Sequence, residues 1–354
     1  MEFRVKALIE KLRNGVDLTS SDIDYAMTLL LSDQTDDKAK VQFLAELHRK
    51  GESADEIIQF VRLLLEAAVD PMIDPAELPG PIIDVCGTGG AGLNLFNVST
   101  TIMFILAAGG AVVVKHGNRR VTSLCGSADV LEELRVPIQL RPEQLKDCVK
   151  RLGIGFIFAR QYHPAFRAIA GMRERLAREN TRTIFNLLGP LLNPARPQRQ
   201  LIGVFAPRLP TVFTEVLRQL GRERAWVVHG LADDSAGMDN ISTSGATTIA
   251  ELHDDKITSA VLDVNWLGIP RAPVAELQGG NARESAATIG GILAGEITGP
   301  RRDMVIANAA GGFVVAGLAR DLNEGIALAR EQIDAGHALA KLRALQNYEP
   351  KVSR

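Results

Sequence analysis

The chain has little cysteine: three residues in 354, Cys86, Cys125 and Cys148. An odd, scattered set does not make a disulfide framework and fits a reducing cytoplasm. Charge of one sign is also lacking, with 40 Lys and Arg against 42 Asp and Glu and a formal net charge of −2. Nucleic-acid and anionic-membrane partners call for a basic surplus, so this balance argues against both, and any anion site must be local. No apolar run reaches the roughly 18–20 residues that span a bilayer. The opening MEFRVKALIEKLRNG reads as a charged amphipathic helix and not as a secretory leader. Repeats and low-complexity tracts are absent. What remains is an ordinary globular composition, long enough for two domains of about 100–200 residues each.

Residues 1 to about 70 read as helices. In TSSDIDYAMTLL, Thr19 and Asp22 resemble a capping box, and Ile23, Ala26, Met27 and Leu30 follow at helical spacing. Gly51 is the expected stop of one helix and Ser53 the expected cap of the next. PMIDPAELPGP, residues 71–81, contains four prolines and reads as a stiff extended linker. After it the pattern changes. IIDV, AVVV, GFIFA, QLIGVF, AWVVH and TIAEL are short apolar runs with β-branched residues, many of them separated by helical stretches. This alternation predicts an α/β domain with a mainly parallel central sheet, whose ligands bind at the carboxyl ends of the strands. The expected division is a small all-helical domain over 1–72, joined by helices from about 165–195, and a larger α/β domain over 73–354.

Two loops occupy the favoured position. In DVCGTGGAGLNLFNVST, residues 84–100, a strand gives way to a glycine-rich turn, and a helix is expected to start near Asn97 or Ser99. Glycines let backbone N–H groups approach an anion, and a helix N-terminus favours one. The spacing is neither that of a Walker loop nor that of the dinucleotide fingerprint. The second loop lies in VVVKHGNRRVTSLCGSADVLEEL, residues 112–134. Between an apolar strand and an amphipathic helix it crowds Lys115, His116, Asn118, Arg119, Arg120, Thr122, Ser123 and Ser127. So many donors with so few acids point to an anion site rather than a solvated loop. Two such loops after two strands suggest a ligand with two separated phosphate groups.

GTGG…FNVST, KHGNR…GSADVLEEL, RTIFNLLGPLLNP and VVHG…MDNIS, in that order, resemble the anthranilate phosphoribosyltransferase family. The likeness runs from the helical start to the final GHALAKL. It implies a helical domain joined to an α/β domain of the nucleoside phosphorylase and phosphoribosyltransferase type, usually as a cytoplasmic homodimer. The implied reaction moves phosphoribose from 5-phosphoribosyl-1-pyrophosphate to the amine of anthranilate, in tryptophan biosynthesis, with Mg²⁺ assisting departure of pyrophosphate. By position, Gly87, Gly90, Ala91, Asn97, Ser99, Thr100, Lys115, Asn118, Arg119, Ser123 and Ser127 would hold the sugar diphosphate. Gly87, His116, Asn118 and Arg173 would meet anthranilate, with His163 and Pro190 as weaker candidates. Ser99, Asp239 and Asn240 would face the metal. No paired general acid and base is expected, because the acceptor amine is already neutral and nucleophilic near pH 7.

The pattern also breaks. Ala91 stands where relatives usually carry Asp, Leu95 where Thr is usual, and Asn240 where Glu follows the Asp. Asp233 and Asp234 precede the last motif and would compensate if they faced the metal; a solvated-loop role is favoured for them. RLARENTRT is about three residues longer than the usual spacing, which bears on the acceptor pocket. These departures leave other readings open: a different aromatic acceptor, a related pyrimidine nucleoside phosphorylase, or a catalytically weak member acting as a binding protein. KHGNR and the RTIFNLLGPLLNP block argue against the phosphorylase.

Overall fold

The computed structural model describes residues 2–32, 34–89, 92–120, 124–167, 169–179, 181–233 and 235–350. Four helices lead the chain: α1 Glu2–Arg13, α2 Ser20–Leu31, α3 Asp37–Lys50 and α4 Ala54–Glu66. Their ends follow the expected local chemistry. Thr19 and Asp22 form a reciprocal capping box on α2, and Ser53 and Glu56 form one on α4. Gly51 ends α3 at φ 89°, a backbone angle that suits glycine. Glu56 also reaches beyond its own helix: its side chain is buried, accepts the N–H of Leu18 at 2.9 Å and pairs with Lys50 at 2.8 Å. The proline-rich stretch is not wholly extended, since Pro75–Glu77 turn through one 3₁₀ segment under an Asp74 cap.

Eight strands follow: β1 Ile82–Gly87, β2 Val112–Gly117, β3 Ile154–Phe158, β4 Arg199–Gly203, β5 Arg224–Ala232, β6 Ala236–Met238, β7 Thr247–His253 and β8 Lys256–Leu262. They form one sheet in the order β3-β2-β1-β4-β5-β7-β8, with β6 pairing β5. The five strands from β3 to β5 are parallel, and β6, β7 and β8 add antiparallel pairings. The six expected runs are all strands. β6 and β8 were not among them.

Alternation along each strand divides the buried side chains between two cores. On β5, Trp226 and Val228 join one core with the helix α5 Val98–Ala108 and the C-terminal helices. Ala225 and Val227 join the other, which takes in the four N-terminal helices and residues from Ile169 to Leu192. The sheet is thus covered on both faces, and its carboxyl edge is where the loops gather.

That edge has an unusually close contact. Gly87 and Gly203 are direct partners at the ends of β1 and β4. A Cβ on Gly203 would lie 1.7 Å from the backbone oxygen of Asp239, and a Cβ on Gly87 would lie 2.3 Å from its Oδ2. The two glycines therefore make the niche into which Asp239 fits. Gly203→Ala is expected to lose about 1–3 kcal/mol by overpacking. Gly290→Ala is the control: that position is helical and open, and it is expected to be neutral or to gain up to about 1 kcal/mol. Chemical denaturation of both variants checks this, and a Gly203→Ala protein as stable as the parent would contradict it.

Candidate functional site

A cavity of about 320 Å³ opens at the carboxyl edge, between the glycine-rich loop, the β2 loop and the segment around Gly189. At one end is the N-terminus of α5, whose Asn97 makes no side-chain cap. In its first turn the Val98 N–H donates to Phe96 O and the Thr100 and Thr101 N–H groups to Asn97 O, which leaves the Ser99 N–H without a backbone partner among the described residues. Ser99 and Thr100 belong to that turn and line the cavity. Among the described residues the buried Thr100 hydroxyl has no partner, which suits a group that meets a ligand or water. Lys115 comes up from β2 and is 2% exposed. Its Nζ donates to Val85 O at 2.5 Å and to Ser99 Oγ at 3.2 Å. An ammonium has three hydrogens, so one donor remains.

Beneath this floor lies Asp84, fully buried in β1. One carboxylate oxygen accepts the His116 N–H at 3.2 Å, and the other accepts Asn193 Nδ2 at 2.9 Å. Burial pushes its carboxyl up, opposed by the charge of Lys115 and by these hydrogen bonds. Lys115 is pushed down by burial and pulled back by Asp84. The two charges stabilise each other across the sheet.

The other end of the cavity is apolar and aromatic. Phe166, Phe185, Gly189, Pro190 and Leu192 line it with His116. His116 Nδ1 donates to Gly189 O at 3.2 Å, which leaves Nε2 as a bare lone pair; that atom is buried and has no partner among the described residues. Burial holds His116 at about 3, helped by the neighbouring His163, so the ring is neutral. His163 is held at about 4, chiefly by burial, and its ring meets His116 edge-on at 5.1 Å between centroids.

The structure brings most of the expected residues to this one cavity. Gly87, Asn97, Ser99, Thr100, Lys115, His116, Asn118, Arg119, Ser127, Asp239 and Asn240 all line it. Gly90, Ala91 and Ser123 lie outside the described residues, as do Thr122 and Asp234. Arg173 falls in the helix Ala170–Arg178, but its side chain lies outside the described set. Arg119 turns its guanidinium to Glu132 and Asp129. Asp239 is half-buried beside the glycines, and desolvation pushes its carboxyl up against the pull of the Gly89 N–H. Its Oδ2 accepts that N–H at 2.8 Å, and Asn240 Nδ2 donates to Oδ1 at 3.4 Å. Asp233 faces away from this cluster. It accepts from Ser244 Oγ at 2.6 Å and from the Val274 N–H at 3.2 Å, as a staple of its own loop.

Several contributors were missed. Asp84 carried a signal, an acid inside the apolar run IIDV. Asn193 stood in a quoted motif without a role. Asn308 holds Ile241, next to Asn240, through both backbone groups at 2.9 and 2.8 Å, and nothing local announces it. Phe166 and Phe185 read only as apolar residues.

Similarity to known proteins agrees with this geometry. Residues 6–68 match the glycosyl transferase family helical bundle domain, and residues 79–339 match the glycosyl transferase family a/b domain. The chain is 43% identical to an anthranilate phosphoribosyltransferase of Haloferax volcanii, covering 96% of this chain and 98% of that protein. It is also 43% identical to one of Rhodopseudomonas palustris, over 96% and 97% of the two chains. The crystal structure of anthranilate phosphoribosyltransferase from Thermus thermophilus superposes with a TM-score of 0.85 at 36% identity, covering 96% of this chain and 98% of that one. The Saccharomyces cerevisiae enzyme in complex with PRPP and Mg, at 24% identity, a TM-score of 0.82 and 98% coverage of both chains, shares the fold. The ordered motifs, the two-part fold and these full-length likenesses agree: the chain belongs to the anthranilate phosphoribosyltransferase family.

Proposed function

We propose that the protein transfers phosphoribose from 5-phosphoribosyl-1-pyrophosphate to the amine of anthranilate and releases pyrophosphate, in tryptophan biosynthesis. The observation that carries this reading is the polarity of the cavity at the carboxyl edge. One end offers a helix N-terminus with no side-chain cap, Lys115 and hydroxyls, which suit a sugar diphosphate. The other offers aromatic walls and a neutral histidine, which suit an aromatic amine.

In this reading Ser99, Thr100, Asn97, Lys115, Asn118, Ser127 and the Gly87 turn hold the donor, with Gly90, Ser123 and Arg119 contributing. Arg173 pairs with the anthranilate carboxylate. The bare Nε2 of His116 accepts one amine N–H and so aims the nitrogen lone pair at ribose C1. A ring held at about 3 remains an acceptor throughout the neutral range. Departure of pyrophosphate leaves positive charge on the sugar, so the chain's task is positioning and charge neutralisation rather than acid–base catalysis.

Mg²⁺ is part of the proposal. Among the described residues no three His, Cys, Asp or Glu side chains converge on a metal site. Ser99, Asp239 and Asn240 do line one small cavity. One carboxylate, one amide oxygen and one hydroxyl fit a Mg²⁺ ion held mainly by substrate oxygens and water. Bound there, the ion would neutralise charge on the leaving pyrophosphate.

We further propose a cytoplasmic homodimer formed through the N-terminal helical domain, with no nucleic-acid or membrane partner. No described helix is long and apolar enough to cross a membrane.

Anthranilate fluorescence should fall when the purified protein meets 5-phosphoribosyl-1-pyrophosphate and Mg²⁺. The Arg173→Ala variant should need about ten- to a hundred-fold more anthranilate for the same rate, the worth of a hydrogen bond between charged groups. Turnover with another aromatic amine and none with anthranilate would refute the acceptor assignment. Light scattering on the same preparation should give the mass of two chains, and a single-chain mass would count against the dimer.

Metal demand gives a separate check. With one charged ligand, the parent should need more Mg²⁺ for half-maximal rate than Asn240→Glu does. Asp233→Ala should leave the midpoint unchanged, because that side chain is tied to Ser244 and Val274. Equal midpoints for parent and Asn240→Glu would remove Asn240 from the metal.

A further inference from the structure

Beside the exit of the glycine-rich loop runs a second piece of chain. Leu95 forms an antiparallel bridge with Gln278. On either side of that bridge, the Phe96 N–H donates to Leu277 O at 3.4 Å and the Gly279 N–H donates to Asn94 O at 2.6 Å. The two segments pass so closely that a Cβ on Gly279 would lie 2.7 Å from both N and Cα of Phe96. Residues 94–96 lead directly into Asn97, Val98 and Ser99, at the N-terminus of α5 and on the cavity wall. Whatever fixes residues 276–279 therefore fixes the approach to that helix end.

So short a ladder does not hold itself in place, since even a full two-stranded hairpin is marginal in water. The hold comes from outside. Arg301 is in the first turn of the helix Pro300–Val315, which is buried from Met304 onward. Its Nη2 donates to Gln278 O at 2.9 Å and its Nε to Glu276 O at 3.3 Å. Leu277 O faces the glycine-rich loop, and the carbonyls flanking it face Arg301. Hydrogen bonds from a charged donor are roughly twice as strong as neutral ones. The same segment is tied at its start to the loop that carries Asp239. The Ala272 N–H donates to Thr243 O at 2.8 Å, and the Val274 N–H to Asp233 Oδ1 at 3.2 Å. Residues 272–279 thus bridge the two loops, and Arg301 braces the bridge from a buried helix.

We infer that Arg301 is a positioning residue for the donor site: by holding the carbonyls of Glu276 and Gln278 it sets the strap that pairs with Asn94–Phe96, and through it the first turn of α5. This rests on the donor-site reading above. Arg301 itself does not line the cavity, so its effect passes through residues 276–279. Without the brace, part of the binding energy of the donor goes into ordering residues 94–99. Only the fraction of molecules with that turn in place then binds at full strength.

Two measurements on the full-length protein test this: hydrogen–deuterium exchange, and calorimetric titration of inorganic pyrophosphate in EDTA and with Mg²⁺. In Arg301→Met, peptides spanning 94–99 and 276–280 should exchange about ten-fold faster than in the parent. The same variant should bind pyrophosphate about five-fold or more weakly. Arg301→Lys, which keeps the charge and can reach one carbonyl, should fall between the two. Gly279→Ala should reproduce both changes from the other side of the ladder, with Arg301 in place. In every variant KM for the sugar diphosphate should rise with the pyrophosphate dissociation constant while KM for anthranilate stays within about two-fold of the parent, a split that a general loss of stability would not give. Faster exchange with unchanged pyrophosphate affinity, or exchange no faster than the parent's, would overturn the inference and leave the donor site standing. A parent that binds no pyrophosphate under either condition would overturn the donor site and this inference with it.

Discussion

The site is built over one buried charge. Asp84 lies in the middle of a parallel sheet, where an unpaired carboxylate is too costly to keep. Its partners come from three places: the His116 N–H at the end of β2, the Asn193 amide in the segment after Gly189, and the charge of Lys115. Each of these segments forms part of the cavity wall. Satisfying the carboxylate therefore sets Lys115, His116 and the aromatic wall relative to one another. The network extends further below the floor. Gln200 donates to Pro190 O at 3.1 Å and accepts from the Arg222 Nε at 2.9 Å, so the aromatic wall is held from beneath by side chains that do not line the cavity.

Where Asp84 acts from below, Asp239 acts from the side. It enters the gap left by two glycines on adjacent strands and holds the Gly89 N–H. The glycine-rich turn is thereby fastened to a segment that Asn308 fixes in turn. Positioning of this kind suits a reaction whose main demands are alignment and charge neutralisation.

Much of this was legible along the chain. β-branched runs, caps and the two donor-rich loops are local signals, and six strands, the helix stops and most cavity residues followed from them. β8 escaped because it is an edge strand, exposed at five of the seven positions of KITSAVL, so no burial alternation marks it. β6 is only three residues long. The hidden parts of the site depend on partners distant in sequence. Asp84 and Asn193 are 109 residues apart, and Asp239 and Gly89 are 150 apart. Gly203 matters only because β4 lies beside β1.

The account stands on Asp84 joining the two halves of the cavity, and Asp84→Asn tests it most directly. The substitution keeps the shape and removes the charge, leaving Lys115 buried without its counterion. Equilibrium binding of pyrophosphate and of anthranilate should be measured on the parent and on this variant at a temperature where circular dichroism shows both folded. The account predicts that both affinities fall together, each by about ten-fold or more, as expected when a buried charge loses its partner. Loss at one end of the cavity with the other unchanged, or no loss at either, would contradict it.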